Sequence, residues 1–193
     1  MVMENKNKIW LLDPNSICST YPEDPVNNYL NSDNNWSLEL KCSLNKLTGN
    51  DETIFCVLPN YIGLDVHKNT PYLSITYKDK GNVFYELPFN YIPGRVDTYK
   101  LEYSIQNGIV FYLNGTKVFN SPIVEQIESQ PKQIVVIGSN TTDTTEKSAR
   151  NSNVTLYTFK AYVEGVLVSD NDFSNIIANK TIDQTGKLNF LQN

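Results

Sequence analysis

The sequence predicts an all-β protein: a two-sheet antiparallel β-sandwich of jelly-roll type, preceded by an irregular N-terminal arm. Three observations carry that expectation. Val96 to Phe119 reads as three short strands joined by Asn107-Gly108 and Asn114-Gly115, and Asn-Gly accepts the positive φ angles of tight hairpins. Segments of period two recur at short intervals from Trp36 onward, with little helical periodicity between them. The 193 residues are 40% apolar and include 12 Tyr and 8 Phe, bulk suited to strands around one core.

Residues 1–35 are punctuated by Pro14, Pro22 and Pro25 and are rich in Asn and Asp. They read as an arm, packed on the surface or reaching a neighbouring subunit, with Ile9 to Leu12 a candidate edge strand. The sandwich is assigned to residues 36–193. Trp36, Leu38, Leu40 and Cys42 alternate with Ser37, Glu39 and Lys41, so one face is apolar. Further strands are expected over 53–59, 61–67, 72–78 and 82–89, the last two joined by Asp79-Lys80-Gly81-Asn82.

Register decides the faces of the next strands. A two-residue turn at Asn107-Gly108 would pair Ile105 with Val110 and put Ile109, Phe111 and Leu113 on the charged face. A three-residue loop, Gln106-Asn107-Gly108 with Gly108 left-handed, pairs Ile105 with Ile109. Leu101, Tyr103, Ile105, Ile109, Phe111 and Leu113 then share one face. A one-residue slip inverts the burial of a whole strand, so the three-residue loop is expected. A two-residue turn at Asn114-Gly115 pairs Phe111 with Val118, leaving Val110, Tyr112 and Phe119 on the opposite face. Downstream, 123–130 is a candidate helical turn, 133–139 a strand and 140–153 a polar loop. Residues 154–168 form a final strand pair or one long strand, and 171–179 a short helix.

Composition excludes some functions. A net charge of −5 with scattered Lys and Arg lacks the positive footprint nucleic acid requires. No run approaches the roughly 20 apolar residues of a membrane span, and Ile9 to Leu12 is too short for an export core. The three cysteines are odd in number and form no CxxC. Cys42 and Cys56 lie in strands and are expected to be buried free thiols, made in a reducing compartment.

Several segments carry a family resemblance. Trp36-Ser37-Leu38-Glu39-Leu40, then Tyr99 to Tyr103 leading into Ile109-Val110-Phe111-Tyr112-Leu113-Asn114-Gly115, then Ile134 to Gly138, then Leu156 to Tyr162 with Leu167 and Phe173 beyond, follow one another in order. Across about residues 36–178 this order resembles the concanavalin A-like lectin and glucanase superfamily, in its laminin-G-like or pentraxin-like form. The resemblance implies two antiparallel sheets, one concave, packed over an aromatic core.

The glucanases of that superfamily set carboxylates on alternate residues of one strand, so that they converge on the sugar. No E-x-D-x-E run occurs here, Glu39 and Glu102 each stand alone on a strand, and no catalytic residue is assigned. His67 is the only histidine and reads as a surface residue. Many relatives hold calcium; Asp65, Asn140, Asp143 and Glu146 are the oxygen donors to consider, Asp143 and Glu146 foremost, although Lys147 and Arg150 share their loop. Sugar binding needs an exposed aromatic face beside planar polar groups. Tyr112 is the first candidate and Phe84 is expected to join it, opposite Val83, Tyr85 and Leu87. Tyr61 and Tyr91, near loop ends, are weaker ones. For Tyr112 and Phe84 a face covered by the arm or by another subunit is the stronger reading, because large apolar side chains on an outer face more often mark a covered surface than an open one.

The expected function is a non-catalytic structural or surface protein of a virion, a phage tail or capsid component made in the host cytoplasm. It would attach to other virion proteins or to copies of itself and engage host glycan. A secreted carbohydrate-binding module or toxin or adhesin domain, working outside the cell, is the alternative, and a degenerate glucanase-like enzyme the other.

Overall fold

The protein is described from a computed structural model, covering residues 10–12, 18–20, 30–59, 62–121, 127, 133–141, 150–177, 180–183 and 190–192. Its strands are β1 (Trp10–Leu12), β2 (Cys18–Thr20), β3 (Trp36–Lys46), β4 (Glu52–Leu58), β5 (Ile62–His67), β6 (Thr70–Tyr77), β7 (Gly81–Glu86) and β8 (Val96–Ser104). They continue with β9 (Gly108–Leu113), β10 (Thr116–Asn120), β11 (Ile134–Ile137), β12 (Asn153–Val163), β13 (Val166–Ile177), β14 (Lys180–Asp183) and β15 (Phe190–Gln192). No helix occurs among the described residues.

Hydrogen-bonded neighbours follow the order β10-β9-β8-β3-β12-β13-β14-β15-β2-β11-β4-β5-β6-β7, all antiparallel. The path makes two antiparallel layers of six strands. We take these as β10-β9-β8-β3-β12-β13 and β2-β11-β4-β5-β6-β7, with β14 and β15 carrying the hydrogen bonding from one to the other.

One apolar core lies between the layers. Trp36, Leu38, Leu40 and Cys42 of β3 are buried in it as the alternation requires, with Leu101, Tyr103, Ile109 and Phe111 beside them. Rings join the layers: Tyr85 of β7 meets Phe119 of β10 at a centroid distance of 4.9 Å. The Tyr77 and Ser121 hydroxyls are 2.6 Å apart, so a buried polar pair is satisfied across the same seam. All three cysteines are buried free thiols.

The observed pairing corrects several expectations. Tyr103 faces Ile109 and Ser104 faces Gly108, so the loop is Ile105-Gln106-Asn107 and the register lies two residues from the expected one. A two-residue shift preserves the faces, and Leu101, Tyr103, Ile109 and Phe111 still point inward; Ile105 instead sits in the turn, 49% exposed. One distant and one local acceptor take the amides of the turn: Asn35 Oδ1 accepts that of Ile105 at 3.1 Å and Ser104 Oγ accepts that of Asn107 at 2.9 Å, so both are satisfied outside the ladder.

The Asn114-Gly115 turn has two residues, with φ of 51° and 78°. Beyond it the ladder shifts between Lys117 and Phe119, so that Phe111 pairs with Phe119 rather than Val118. The bulge turns the Phe119 ring onto the core, where an aromatic ring removes more apolar area from water than a valine would. The helix expected over 171–179 is absent where described, because β13 runs on to Ile177. Ser169, Asn171 and Phe173 are all fully buried. The alternation is real but disguised by polar residues, and the Asn171 amide is satisfied by Ser169 Oγ at 2.7 Å.

Two strands come from the arm. β1 lies against Val154 to Leu156 of β12, and β2 pairs with both β11 and β15. Of the candidate helical turn at 123–130, only Ile127 is described, bridging to Tyr77.

Candidate functional site

The outward face of the β10-β9-β8-β3-β12-β13 layer is assembled from residues that alternate with the core. Register places Ser37 opposite both Tyr162 and Glu102, and Glu102 opposite Val110. The next row outward reads Asp170, Lys160, Glu39, Lys100, Tyr112 and Lys117 across six strands. Opposite charges face each other at Asp170–Lys160, Lys160–Glu39 and Glu39–Lys100, an arrangement that supports the pairing of the strands.

Two hollows open on this face. One, of about 380 Å³, is lined by Asn35, Ser37, Lys100, Glu102, Ser104 and Tyr162 among others. The second, of about 550 Å³, includes Glu102, Ser104, Val110, Tyr112, Lys117 and Asn120. Glu102 and Ser104 belong to both, so the hollows meet. Together they cross from β12 to β10, about 19 Å at the usual strand spacing of about 4.8 Å.

Polar groups are positioned before any ligand arrives. Lys100 Nζ lies 2.6 Å from Glu102 Oε1 and 5.7 Å from the centre of the Tyr112 ring. The Tyr112 hydroxyl donates to Glu102, which holds the phenol above its ordinary pKa. The same carboxylate raises the Lys100 ammonium, overcoming the opposing effect of partial burial. At the far end, Glu164 accepts the Asn35 amide at 2.7 Å and its side-chain amide at 3.0 Å. Those donors lower the Glu164 pKa and fix Asn35 at the rim beside Tyr162.

Two of the carboxylates on this face, Glu39 and Glu102, stand on the adjacent strands β3 and β8. Glu39 pairs with Lys100, and Glu102 lies two residues further along β8, so Glu39 and Glu102 are diagonal neighbours, which sequence alone had left apart. Lys100 faces the first and is bonded to the second. A general acid built on Glu102 would first have to release that cation.

The candidate residues are distributed differently from the expectation. Tyr112 is outward and half-buried, as its strand parity requires. Phe84 is also outward, 57% exposed, but on β7 of the opposite layer. The inward neighbour of Phe84, Tyr85, packs across the core on Phe119, so Phe84 and Tyr112 lie on opposite outer faces and do not form one site. Phe84 instead shares a hollow of about 320 Å³ with Asp51, Asp65, Val66, His67, Tyr72 and Arg150. Tyr91 is buried, 7% exposed, with its ring edge-on to Phe89 at 5.4 Å and Tyr99 at 6.4 Å. It therefore presents no face to a sugar, because the loop after β7 folds its ring into the core. Tyr61 lies outside the described residues.

Asp143 and Glu146 likewise lie outside the described residues. Asn140 accepts the Arg150 amide at 2.7 Å. Asp65, buried, is bonded by Thr53 Oγ1 at 2.6 Å and Ser74 Oγ at 2.5 Å, with Arg150 Nη1 at 3.6 Å. Among the described residues no three His, Cys, Asp or Glu side chains gather as a metal site, and no helix is long and apolar enough to cross a membrane. Tyr162 and Lys100 are absent from the sequence-based candidates, and Glu102 entered there only as a lone carboxylate. Their outward parity was legible, but the proximity of β12 to β8 depends on both pairing with β3.

No family model and no curated protein matches the chain. Solved structures do. A Bacteroides ovatus protein to which carbohydrate binding is attributed aligns with a TM-score of 0.68 and 13% identity, over 96% of this chain and 57% of its own. The receptor-binding domain of a botulinum neurotoxin C/D mosaic aligns at 0.54 and 14% identity, over 77% of this chain and 40% of its own. The binding domain of botulinum neurotoxin DC, in complex with SialylT, aligns at 0.52 and 13% identity, over 81% and 41%. This chain thus spans only about half the length of the structures it resembles. Its two antiparallel layers, their shared aromatic core and these likenesses together identify the fold as a concanavalin A-like β-sandwich.

Proposed function

We propose that the chain is a non-catalytic carbohydrate-binding domain whose site is the groove over β12, β3, β8, β9 and β10. The observation that carries this reading is the pair of hollows sharing Glu102 and Ser104, with Tyr162 in one and Tyr112 in the other. Pyranose rings stack their C–H faces on aromatic side chains while their hydroxyls seek oriented donors and acceptors. Tyr112, Lys100 and Glu102 supply both in one hydrogen-bonded unit. A groove crossing five strands suits several consecutive sugars rather than one. The fold's likeness to a protein credited with carbohydrate binding and to toxin binding domains agrees with this.

The test is a glycan array followed by calorimetry with an oligosaccharide that binds. Tyr112→Ala and Glu102→Gln are each expected to weaken that binding about tenfold, equal to about 1.4 kcal/mol. A wild-type array without hits would overturn the reading. Reducing ends released from a bound glycan would show the diagonal carboxylates to be catalytic.

The setting on a virion is a separate proposal, supported by three buried free thiols in a lectin-like sandwich. Since β1 and β2 are strands of the sheets, attachment would use loops or a sheet edge rather than a free arm. Immunogold labelling of purified particles tests it, and unlabelled particles would dismiss it.

A further inference from the structure

The hollow around Phe84 has a different construction from the groove. Its members come from three strands and two connecting segments: Asp51 precedes β4, Asp65, Val66 and His67 end β5, Tyr72 lies on β6, Phe84 on β7, and Arg150 precedes β12. Phe84 pairs with Ser74 and Tyr72 with Glu86, so the two rings are diagonal neighbours on one face. The Tyr72 ring also stands edge-on to His67 at 6.3 Å.

The opposite wall is polar. Asp65 is 3% exposed and takes hydrogen bonds from Thr53 and Ser74, with the Arg150 guanidinium alongside. Asp51 is joined to His67 through Nδ1. Each carboxylate already has a hydrogen-bond partner within the hollow or its wall. The hollow offers an apolar ring on one side and fixed donors and acceptors on the other. At about 320 Å³ it stands at the small end of ligand sites, which begin at about 300 Å³.

We infer that the Phe84 hollow is a second, independent sugar site that takes a single neutral pyranose, stacked on Phe84 with its hydroxyls toward Asp51 and Arg150. The inference rests on the reading of the protein as a carbohydrate-binding domain, but on a separate surface. The two sites lie on opposite outer faces, so one chain would engage two glycan segments at once and cross-link them.

Methyl glucoside, methyl galactoside and methyl mannoside, titrated into the isotope-labelled full chain and followed by NMR, test this. Saturable shifts at Asp65 to His67, Tyr72 and Phe84 are expected for at least one of the three. Phe84→Ala and Asp51→Asn should each weaken them about tenfold or more, and Tyr112→Ala should leave them unchanged. Because Phe84 is an outward ring, the fold of its variant is checked by the unaltered amide spectrum elsewhere. Shifts confined to Tyr112, Glu102 and Tyr162 would overturn this inference while upholding the groove. Absence of shifts with all three glycosides would also overturn it, and oligosaccharide binding on the array would still judge the groove separately.

Discussion

Asp97 is buried on β8, and its carboxylate gathers donors from both sides of a turn. Arg95 Nε lies at 2.9 Å, Asn114 Nδ2 at 2.8 Å, and the Tyr99 hydroxyl at 3.5 Å. Hydrogen bonds to a buried charge contribute about 1.5–3 kcal/mol. Asp97→Ala is therefore expected to lose that much in urea unfolding, and not more, because Arg95 sits at the surface and can turn to water. Parity supplies a second contrast. Phe111 is fully buried, so Phe111→Ala should cost about 3–5 kcal/mol. Its neighbour Tyr112 points outward, and Tyr112→Ala should change stability by about 0.5 kcal/mol. Equal losses at the two positions would contradict the register.

The thiols predict a pH dependence. Burial pushes Cys18, Cys42 and Cys56 above the ordinary thiol range, with Asp97 adding to the effect at Cys42. Above the unfolded thiol pKa of about 8.5, the unfolded chain loses protons that the folded chain keeps. Their contribution is thus complete below that pH and declines as pH rises. Each thiol should lower the folding constant by roughly tenfold per pH unit through this window. Denaturation midpoints measured under reducing conditions from pH 8 to 10 should fall steadily; a flat profile would show that the thiols are not buried.

At the scale of elements, turns and ladders divide the work differently. The β9–β10 turn is closed by Asn114, whose amide donates to the Thr98 carbonyl and whose side-chain oxygen accepts the Thr98 amide, both at 2.8 Å. Gly115 holds φ at 78°, and nothing lies within 4 Å of where its Cβ would be. Gly115→Ala should then cost only the backbone strain, about 1–2 kcal/mol. Asn114→Ala should cost more, since it removes bonds to both Thr98 and Asp97. Thermal unfolding of the two variants ranks them. The β12–β13 turn has the same shape, with Glu164 and Gly165 at φ of 49° and 75°, yet no Asn-Gly pair announces it. Its Glu164 is instead held by Asn35, which immediately precedes β3. Local turn chemistry made one hairpin legible, and a distant partner made the other.

For the whole molecule, one core joins both layers, so unfolding should be a single cooperative transition with coincident fluorescence and circular dichroism curves. β1 covers an edge of β12 at Val154 to Leu156. Removing residues 1–12 should expose that edge, lower the melting temperature by a few degrees (about 2–4 °C per kcal/mol at this chain length) and promote association. Unchanged calorimetric melting and monomer content would show that β1 contributes nothing.

Read alone, the chain determined that it would fold as a β-sandwich, where most strands run, and which residues of β3, β8 and β9 turn inward. Alternation and Asn-Gly pairs act between near neighbours, and a few residues suffice to express them. Only the tertiary structure decided the bulge that brings Phe119 onto Tyr85, the strand character of 171–177, the burial of Tyr91, and the separation of Phe84 from Tyr112. It also brought Glu102, Lys100 and Tyr162 to one groove. Those outcomes depend on pairings between segments far apart in sequence, whose energies are sums over both layers and are written in no single stretch of the chain.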